Sequence, residues 1–441
     1  MTSLFFIYFC SLFTAFKSLL NKDSVFSIER KYIQTAFHFL WFMALSGIQL
    51  LPAQMSDRMY ISDNQIDTLK KGQLSVDIDN LTFFKNNEYN STAQKGYTLP
   101  GFWLQAKAVY YPLSTIKLEA GVHSIWFWGA TMYPAFAYKE IATWKGKDYA
   151  HHVHALPFFR VHLALTDRMS LILGNLYGAA NHRLIEPLYN PELNLTSDPE
   201  TGLQFLYHGK RLQLDLWLDW MTYIYKLDTQ QEAFVTGGSA FFNVTDPASS
   251  CHVYLPMQGL ALHRGGEIEM TDGTVQTLIN GALGAGVKWN RNGRVMKNFK
   301  TEYAFTGFYF PKGRTYQPEY GFGHFIKSAV QLNDFNISAS YWLCNDFVPI
   351  FGNVFYSSIS AKKDRMLYKN PSLLNIRADY VRSFGKGFAL GVKADVYRYM
   401  SGKMYSADTR LFQPQNFGKN TNYSLEIVFR MTPSFQLSIF N

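Results

Sequence analysis

Residues 211–220 read Arg-Leu-Gln-Leu-Asp-Leu-Trp-Leu-Asp-Trp. In a β-strand, successive side chains point to opposite faces. One face of this segment would carry Leu212, Leu214, Leu216, Leu218 and Trp220, and the other Arg211, Gln213, Asp215, Trp217 and Asp219. A strand of about 10 residues is long enough to cross a bilayer. The segment therefore predicts a membrane-crossing strand with lipid on its leucine face and a polar interior on the other.

The same alternation recurs along the chain, and short clusters of turn-forming residues separate the alternating runs. Gly, Asn, Asp and Pro supply the backbone angles that tight hairpins need. The predicted turns are Pro112–Ser114, Thr166–Arg168, His208–Lys210, Asn290–Gly293, Asn333–Asp334, Phe384–Gly387 and Met431–Pro433. Stretches without clean alternation are longer, namely 85–99, 128–154, 178–200, 225–252, 311–320, 346–371 and 399–420. Short turns at one end and long loops at the other are typical of outer-membrane barrels.

The strand count follows from the chain length and this rhythm. We expect an all-β fold, a transmembrane antiparallel barrel of about 16 strands, within a range of roughly 14–18. The region 231–268 has room for one further pair of strands. One inconsistency remains, because a separate last strand at 434–440 would run outward where closure requires an inward strand. A strand is therefore missing or invented, and we expect the error in 225–275 or 346–371.

Bulk composition agrees with a barrel and excludes other classes. Charged residues make up 17% of the chain, against about 25% in ordinary soluble domains. Aromatic residues also make up 17%, which suits girdles at two membrane interfaces. The mean hydropathy of −0.12, with no long apolar run after the N-terminal region, excludes a helical membrane protein. A soluble sandwich or propeller is the alternative, and no block of like charge predicts nucleic-acid binding despite the net charge of +9.

The N-terminal region has the order of an export signal. Arg30 and Lys31 precede the apolar stretch 36–51, and Ala53 offers a small residue for cleavage. We therefore divide the chain into an N-terminal extension and signal peptide (1–53), a short periplasmic lead-in (54–72) and the barrel (73–441). The alternative for the apolar stretch is a buried or anchoring helix.

Together, the signal, the alternating hairpins, the aromatic excess and the C-terminal Ser-Ile-Phe-Asn resemble Gram-negative outer-membrane porin-like barrels, most closely Bacteroides-type outer-membrane proteins. Many such barrels end in an aromatic residue, whereas Phe440 is penultimate here. The resemblance covers residues 73–441 as an architecture and matches no single family motif. It implies residence in the cell outer membrane and contact with its lipid. The lead-in is too short for the plug domain of a TonB-dependent transporter.

If the apolar sets face lipid, the intervening ionisable residues face the lumen, where they are tolerated. These candidate pore-lining residues are Lys107, Lys117, Glu119, His123, Arg160, His162, Asp215, Asp219, Lys288, Lys300, Glu302, Arg377, Asp379, Lys393 and Asp395. They could line a pore with a weak preference for anions. They could equally form an internal salt-bridge network that fills the lumen.

Other chemical motifs give weak signals, and we predict no metal and no cofactor. Asp148, His151, His152 and His154 are close in sequence, but consecutive loop histidines rarely form one coordination geometry. His123 and Ser124 are adjacent on a strand, so they point to opposite faces and cannot form a nucleophile–base pair directly. Asp219 is a minor candidate for a rim protease.

Two cysteines remain after the signal, Cys251 and Cys344. We expect independent free thiols, with a disulfide near one rim of the barrel as the alternative.

Three functions remain open. The first is a passive channel for small solutes, narrowed by one of the longer loops. The second is a barrel without transport that binds surface polysaccharide or assists envelope assembly, with Trp126, Trp128, Tyr133 and Trp144 as stacking residues. The third is a barrel enzyme acting on lipid. The sequence favours the first, with no enzymatic activity, and leaves the oligomeric state open.

Overall fold

The computed structural model describes residues 59–127, 153–223, 231–266, 273–385, 387–408, 412–413 and 421–437. The predicted signal peptide and residues Asp148, His151 and His152 lie outside these ranges. No helix in the described ranges is long and apolar enough to span a membrane. The strands are β1 (Leu74–Glu88), β2 (Tyr97–Leu113), β3 (Ile116–Phe127), β4 (His154–Thr166), β5 (Met169–Asn175), β6 (Thr201–His208), β7 (Leu212–Thr222), β8 (Ala233–Asn243), β9 (Cys251–Arg264), β10 (Gln276–Asn290), β11 (Met296–Lys312), β12 (Tyr320–Leu332), β13 (Phe335–Asn345), β14 (Met366–Gly385), β15 (Phe388–Ser406), β16 (Phe412–Gln413), β17 (Thr421–Met431) and β18 (Ser434–Leu437).

The last three strand segments occupy one position in the wall. The segments β16 and β17 both pair with β15, while β17 and β18 both pair with β1 in one continuous register, from Asn80↔Met431 to Asp77↔Ser434. Every pairing between neighbouring strands is antiparallel, and β1 closes the sheet between β2 and this last position. The fold is a closed 16-strand antiparallel β-barrel, as the sequence predicted.

The predicted turn at Met431–Pro433 is wrong, and its correction removes the inconsistency in strand direction. The error expected in 225–275 or 346–371 therefore lies at the C-terminal end of the chain instead. Thr432 N donates to Gly387 O at 2.8 Å, and Ile78 N donates to Pro433 O at 3.0 Å. The backbone therefore continues between its two neighbours instead of reversing. The Thr-Pro pair imitates a turn signal because proline lacks an N–H, yet it is tolerated at an irregularity near the end of a strand.

The predicted pair of strands in 231–268 is confirmed as β8 and β9, which pair antiparallel from Ala233↔Arg264 to Asn243↔Tyr254. The stretch 225–252 was predicted as a loop, but it contains all of β8. Glycines and a run of aromatic residues obscure the alternation there. The remaining short turns lie at the end of the barrel where β1 begins, and the longer connections lie at the opposite end. By the asymmetry of this class, the short-turn end is periplasmic and the long-loop end is the outer end.

The outward face of the wall is apolar. In β7, Leu216 is 45% exposed and its neighbour Trp217 only 5%, which confirms the two faces of the opening segment. Exposed apolar side chains recur around the barrel at Leu118, Val122, Phe159, Leu173, Leu203, Leu255, Met257, Leu283, Ile326, Ile337, Leu343, Leu425 and Ile427. A closed barrel with an apolar belt is the structure that spans an outer membrane. The protein is therefore an outer-membrane β-barrel.

The buried apolar core lies inside the barrel because two outer loops fold into the lumen. The first inserted loop is residues 176–200, between β5 and β6, with a short α-helix at Leu193–Thr196. The second inserted loop is residues 346–365, between β13 and β14. Side chains from both loops are almost fully buried and share one cluster, including Leu176, Tyr177, Leu188, Phe347, Val348, Phe355 and Tyr356.

Candidate functional site

The first inserted loop is held to the wall through Glu186. Its carboxylate contacts Lys327 Nζ at 2.7 Å and Arg377 Nη1 at 2.7 Å, and Tyr356 OH donates to it at 3.0 Å. These cations hold the pKa of Glu186 below its usual range, although burial opposes them. Because Tyr356 belongs to the second inserted loop, this one carboxylate joins both loops to the barrel wall.

A second carboxylate of the same loop faces another part of the wall. Glu192 contacts Lys85 Nζ at 2.6 Å and accepts from Asn87 Nδ2 at 3.2 Å and from the Tyr97 hydroxyl. Buried charges are stable only when they are paired and hydrogen-bonded. Glu192 meets both conditions, so the loop is docked at two separate points.

His182 is enclosed between two carboxylates. Its Nδ1 lies 2.7 Å from Asp215 Oδ2 and its Nε2 lies 2.7 Å from Glu200 Oε2. The ring stacks on Trp217 with centroids 3.6 Å apart. The two carboxylates raise the pKa of His182 to about 10 against the opposing effect of burial. The residue is an imidazolium at neutral pH, so it fixes the loop and cannot serve as a general base.

The two inserted loops also contact each other. Asn190 N donates to Phe351 O at 2.7 Å, and Asn353 N donates to Glu186 O at 3.2 Å. Asn280 on β10 holds the second loop, donating to Val348 O at 3.1 Å and accepting from Ile350 N at 2.7 Å. The sequence predicted narrowing by one long loop. Two loops, packed together, occupy the outer part of the lumen instead.

The N-terminal lead-in enters the lumen from the short-turn end. Arg430 Nη1 donates to Met59 O at 2.9 Å, and Tyr60 OH donates to Glu426 Oε1 at 2.5 Å. Ser62 and Asn181 exchange two hydrogen bonds, at 2.7 and 3.1 Å. Part of the predicted lead-in, residues 59–63, thus contacts the first inserted loop inside the barrel.

The residues predicted as pore-lining fall into separate ionic clusters inside the barrel. One cluster on β2–β4 contains Lys107, Lys117, Glu119 and Arg160. A second cluster on β10 and β11 contains Lys300 and Glu302, whose charged groups lie 2.9 Å apart. Lys288 lines the same cavity of the lumen as these two residues. The sequence could not show these groupings, because strand spacing gives the face of a residue but not its neighbours across strands.

A third cluster contains Arg377, Asp379, Lys393 and Asp395 on β14 and β15. Arg377 Nε lies 2.7 Å from Asp395 Oδ1, and Lys393 Nζ lies 2.7 Å from Glu426 Oε1. Asp379 accepts from Asn336 Nδ2 at 3.2 Å. Sequence reasoning missed Glu426 and Lys85, although both occupy inward positions of alternating strands and could have been found by extending the pattern.

The other predicted lumen residues have local partners. His123 Nδ1 lies 3.2 Å from Gln105 Nε2, and His162 Nδ1 lies 3.2 Å from the Tyr177 hydroxyl. Asp215 contacts His182, as described above. Asp219 accepts from Thr201 N at 2.8 Å, a contact that positions β6 and gives no sign of a protease site.

At least two cavities lie in the lumen among the residues that the structure describes. The larger, about 690 Å³, is lined by Lys288, Lys300, Glu302, Lys327 and Arg377 among others. The smaller, about 440 Å³, is lined by Lys107, Lys117, Glu119 and Arg160 and by the lead-in. Both are bounded by charged side chains of both signs.

A histidine and a hydroxyl group meet on the lipid-facing side of the wall at the outer end. His263 is the penultimate residue of β9 and Thr277 the second residue of β10, and Nδ1 lies 3.1 Å from Oγ1. Their neighbours Leu262 and Leu278 are buried inward, so both polar side chains point outward. Strand alternation alone does not reveal this pair, because its members are separated in sequence by the outer connection between β9 and β10.

Aromatic side chains surround this pair. Phe234 lies against His263 with ring centroids 5.3 Å apart, and Trp220 lies 5.3 Å from Phe234. Tyr223 stacks on Trp220 at 6.0 Å. Aromatic rings of this kind mark the interface between lipid tails and headgroups. The pair therefore lies beside an aromatic cluster at the outer end of the wall.

A second lipid-facing histidine offers a comparison. His324 Nδ1 lies 2.8 Å from the Tyr303 hydroxyl, and its ring is flanked by Phe305 and Phe322. The partner is a phenol instead of an aliphatic hydroxyl. His324 also lies further from the end of its strand than His263 does.

The remaining predicted sites have no catalytic geometry. His123 is buried inward while Ser124 is on the other face, as predicted from their adjacency. His154 lies 3.4 Å from Asp198, and no group of three possible metal ligands occurs within the described ranges. Trp126 packs edge-on against Phe102, and the other predicted stacking residues, Trp128, Tyr133 and Trp144, lie outside the described residues, so the glycan contact stays a prediction.

The two cysteines are free, as expected, but the predicted shared rim is wrong. Cys251 begins β9 at the short-turn end, and Cys344 is near the outer end of β13.

The family of the chain follows from a comparison with known families. The profile described as Lipid A 3'-O-deacylase-type matches residues 66–440, which span the whole barrel. The chain belongs to the Lipid A 3'-O-deacylase-type family. The prediction that the chain is not an enzyme is therefore wrong at the level of its family, since deacylases are enzymes. The alternation of apolar and polar residues could not reveal an enzymatic activity, because it predicts the barrel wall and not which side chains react.

Solved structures similar to the chain are outer-membrane barrels at low identity. OccAB1 of Acinetobacter baumannii is 10% identical, covers 82% of this chain and 97% of its own, and has a TM-score of 0.43. The outer membrane protein OprD from Pseudomonas aeruginosa is 10% identical, with coverages of 88% and 98% and a TM-score of 0.42. OmpT of Vibrio cholerae is 8% identical, with coverages of 81% and 99% and a TM-score of 0.44. No curated protein matches the sequence.

Proposed function

We propose that this barrel hydrolyses an acyl ester of an outer-leaflet glycolipid of the lipid A type. The observation that carries the proposal is the lipid-facing pair of His263 and Thr277 at the outer end, with 3.1 Å between Nδ1 and Oγ1. An ionisable side chain on the lipid face of a barrel is costly and points to function. Membership of the deacylase-type family supports the same class of reaction.

Access favours the outside of the wall over the lumen. The two inserted loops fill the outer part of the lumen with buried side chains and are tied to the wall through Glu186 and Glu192. A lipid in the outer leaflet reaches His263 by diffusion in the plane of the membrane. A lumenal site would require the acyl chains to leave the bilayer and displace both loops.

The pair can perform acyl transfer by a hydroxyl nucleophile and an imidazole base. The Thr277 oxygen attacks the ester carbonyl while His263 takes the hydroxyl proton, and an ester to Thr277 forms. The bond between the acyl carbon and the sugar oxygen breaks, and His263 returns the proton to that oxygen. Water then attacks the Thr277 ester while His263 accepts a proton from the water and passes it to the departing Thr277 oxygen. The fatty acid is released, and the Thr277 hydroxyl and the neutral His263 are restored.

The aromatic rings at the same rim suit the acyl chains of the substrate. Phe234 lies beside His263 and Trp220 beside Phe234, and the two rings offer an apolar surface for those chains.

The test compares the two lipid-facing histidines. Full-length His263→Asn and His324→Asn proteins are assayed in lipid vesicles containing lipid A, with released fatty acid measured by mass spectrometry. Loss of a general base typically costs about 10²–10⁴-fold in rate, so we expect that drop for His263→Asn and near-normal activity for His324→Asn. Equal activity of His263→Asn and the unmodified protein, or a loss confined to His324→Asn, would overturn the proposal.

Passage of small solutes is the second candidate, and the two lumenal cavities favour it. The role of the predicted pore-lining residues is part of this second proposal. So is the likeness to Bacteroides-type porin-like proteins. A continuous path requires the inserted loops to move, so the resting protein should conduct poorly. Single-channel recording decides the matter: frequent openings of the unmodified protein would favour a channel, and their absence even after the loops are released would exclude one.

A further inference from the structure

The periplasmic end of the barrel has an excess of basic side chains on one side. We call the four consecutive turns β4–β5, β6–β7, β8–β9 and β10–β11 the basic arc. Its cations are Arg168, Lys210, Arg211, Arg291, Arg294 and Lys297. Five of them are exposed, and Lys297 is half-buried.

The acids close to the basic arc are fewer than its cations. Within the described residues they are Asp167 and Asp246 in the same turns, and Asp63 in the lead-in, whose charge acts on His208 beside the β6–β7 turn. In the part of the chain that the structure describes, no salt bridge joins a cation of the arc to an acid. Six cations against three acids therefore leave the basic arc with a net positive charge.

The rest of the periplasmic rim is closer to neutrality. The described ionisable residues of its turns and of the segment just before β1 are Lys70, Lys71 and Arg382 with Asp67 and Asp334. Lys70 and Lys71 precede β1, which lies across the barrel from β9 and so from the arc. The excess of positive charge is thus a property of one side of the rim.

Hydrogen bonds between neighbouring strands fix the backbone of the first half of the arc. His208 N donates to Arg168 O at 2.8 Å, which ties the β4–β5 turn to the end of β6. Asn243, the last residue of β8, donates from N to Arg211 O at 2.7 Å and from Nδ2 to Lys210 O at 2.9 Å. The cations therefore project from a rigid rim.

The β10–β11 turn has the highest density of cations and is also tightly built. Arg291 N and Asn292 N both donate to Lys297 O at 3.0 Å, and Gly293 N donates to Met296 O at 3.1 Å. Lys297 Nζ donates back to Gly293 O at 3.1 Å. The turn is closed by its own backbone, so the guanidinium groups of its two arginines are available to a partner outside it.

Apolar side chains on the lipid-facing side border the arc directly. Trp289 is 44% exposed and stacks on Phe299 with ring centroids 5.7 Å apart. Leu165, Met169 and Val295, which are next to cations of the arc in sequence, are exposed as well. Aromatic girdles of barrels lie at the membrane interfaces. The basic arc therefore continues the apolar belt at the edge where the belt meets the periplasmic leaflet.

We propose that the basic arc binds the phosphate groups of anionic phospholipids in the periplasmic leaflet of the outer membrane. Clusters of four to eight lysine and arginine residues directly beside a membrane-spanning segment recognise anionic lipids. Arginine suits a phosphate because its guanidinium forms two parallel charge-assisted hydrogen bonds. The bordering apolar residues favour a lipid over a soluble anion, since they hold acyl chains while the cations hold the headgroup. The arc lies at the opposite end of the barrel from His263, so it does not depend on the proposed hydrolysis.

The test uses Trp289 as a local reporter. The full chain is reconstituted in vesicles of phosphatidylcholine and phosphatidylglycerol, with brominated acyl chains on one lipid or the other to quench fluorescence. Each protein is compared with its own Trp289→Phe counterpart, and the difference gives the lipid preference at the β10–β11 turn. We expect about a fivefold preference for phosphatidylglycerol, reduced to about one in the double variant Arg291→Gln/Arg294→Gln, because each cation near an anionic surface contributes about that factor.

The matched control is Lys70→Gln/Lys71→Gln, which removes two exposed cations from the other side of the rim. It should keep the preference at Trp289. Salt provides a test on the unmodified protein alone, because raising the ionic strength should weaken the preference by screening. The heat-dependent electrophoretic mobility of each barrel shows that it is folded.

Three outcomes would overturn the proposal: equal quenching by both brominated lipids in the unmodified protein, an unchanged preference in folded Arg291→Gln/Arg294→Gln, or an equal loss in Lys70→Gln/Lys71→Gln. Co-sedimentation of the unmodified protein with isolated peptidoglycan, without any lipid preference, would assign the arc to a soluble anionic polymer and overturn the lipid proposal too. His263→Asn should keep the preference for phosphatidylglycerol, so failure here and failure of the hydrolase proposal are distinguishable.

Discussion

Two histidines of this barrel show how surroundings decide what an imidazole can do. His182, inside the lumen, lies between Asp215 and Glu200, and those carboxylates raise its pKa to about 10. His263, on the lipid side, has the Thr277 hydroxyl as its partner, and no carboxylate is paired with it among the residues that the structure describes. A histidine that is always protonated can bind and fix a loop, whereas one beside a hydroxyl can accept that proton.

The same contrast separates the lumen, where paired charges hold the loops, from the lipid-facing rim, where we propose that the chemistry takes place. Paired charges inside the lumen bind the two inserted loops to the wall, so that the loops fill the outer part of the barrel. On the lipid-facing rim, His263 and Thr277 point outward from the wall. The following changes break or sharpen this contrast, and they are ordered by the size of the expected effect.

Glu186→Ala should have the largest effect, because it leaves Lys327 and Arg377 without the carboxylate that docks both inserted loops. Removing one partner of a buried pair costs about 3–5 kcal/mol. We expect the loops to leave the lumen and the barrel to conduct ions in planar bilayers. The control Glu302→Ala removes a carboxylate whose partners among the described residues, Lys300 and Tyr254, belong to the wall, and it should not open the lumen. A closed Glu186→Ala barrel would contradict the docking role.

His182→Gln should loosen the first inserted loop by about 3 kcal/mol, since Asp215 and Glu200 would lose the cation between them. Hydrogen exchange measured by mass spectrometry should become about 100-fold faster in residues 176–200 and remain unchanged in the strands. His324→Gln, on the outer face, provides the control. Equal protection of residues 176–200 in both variants would show that His182 does not fix the loop.

Thr277→Val should lower fatty-acid release by about 100-fold, because valine keeps the shape of threonine and removes the nucleophilic oxygen. Thr277→Ser restores a hydroxyl at the same position, so its rate should stay within about tenfold of the unmodified protein. A Thr277→Val variant as active as Thr277→Ser would mean that His263 acts on water without the help of Thr277.

A change of one pH unit should have the smallest effect, and that effect is on the stability of the docked first inserted loop. Because the pKa of His182 is raised on docking, its contribution to loop stability is complete below the ordinary value near 6.5 and is lost as the pH rises through about 10. The slope is at most about 1.4 kcal/mol per pH unit. Imidazole resonances in NMR spectra of the protein in micelles should give a midpoint near 10 for His182. A midpoint below 7 would contradict the double pairing.

The sequence predicted the wall well because the wall obeys a local rule. In residues 212–220, apolar side chains alternate with Asp215 and Asp219 because one face of the strand meets lipid. The same rule applies to every strand of the barrel. The inserted loops could not be predicted in the same way. Glu186 finds Arg377 across a long stretch of chain, and the segment around Ser357 and Tyr356 is buried without any apolar periodicity.

The contacts of the candidate site could not be predicted from the sequence for the same reason. The lumen-facing residues were named from strand parity, but parity does not say that Lys107, Lys117 and Arg160 share one carboxylate. Nor does it bring His263 to Thr277, since that contact depends on the register between β9 and β10. Register depends on the whole sheet, and no short stretch of sequence contains it.

The wall is completed by its first and last strands, where Leu74 pairs with Leu437. These partners are almost the whole length of the barrel apart in sequence, so their pairing carries the largest loop-closure entropy in the fold. The seam cannot form until the C-terminal segment has been made, and until then β1 presents an unpaired edge. Closure therefore has to wait for the C-terminal segment, and a chain that stops before Ser434 would expose residues Leu74–Asp77 of that edge to other chains.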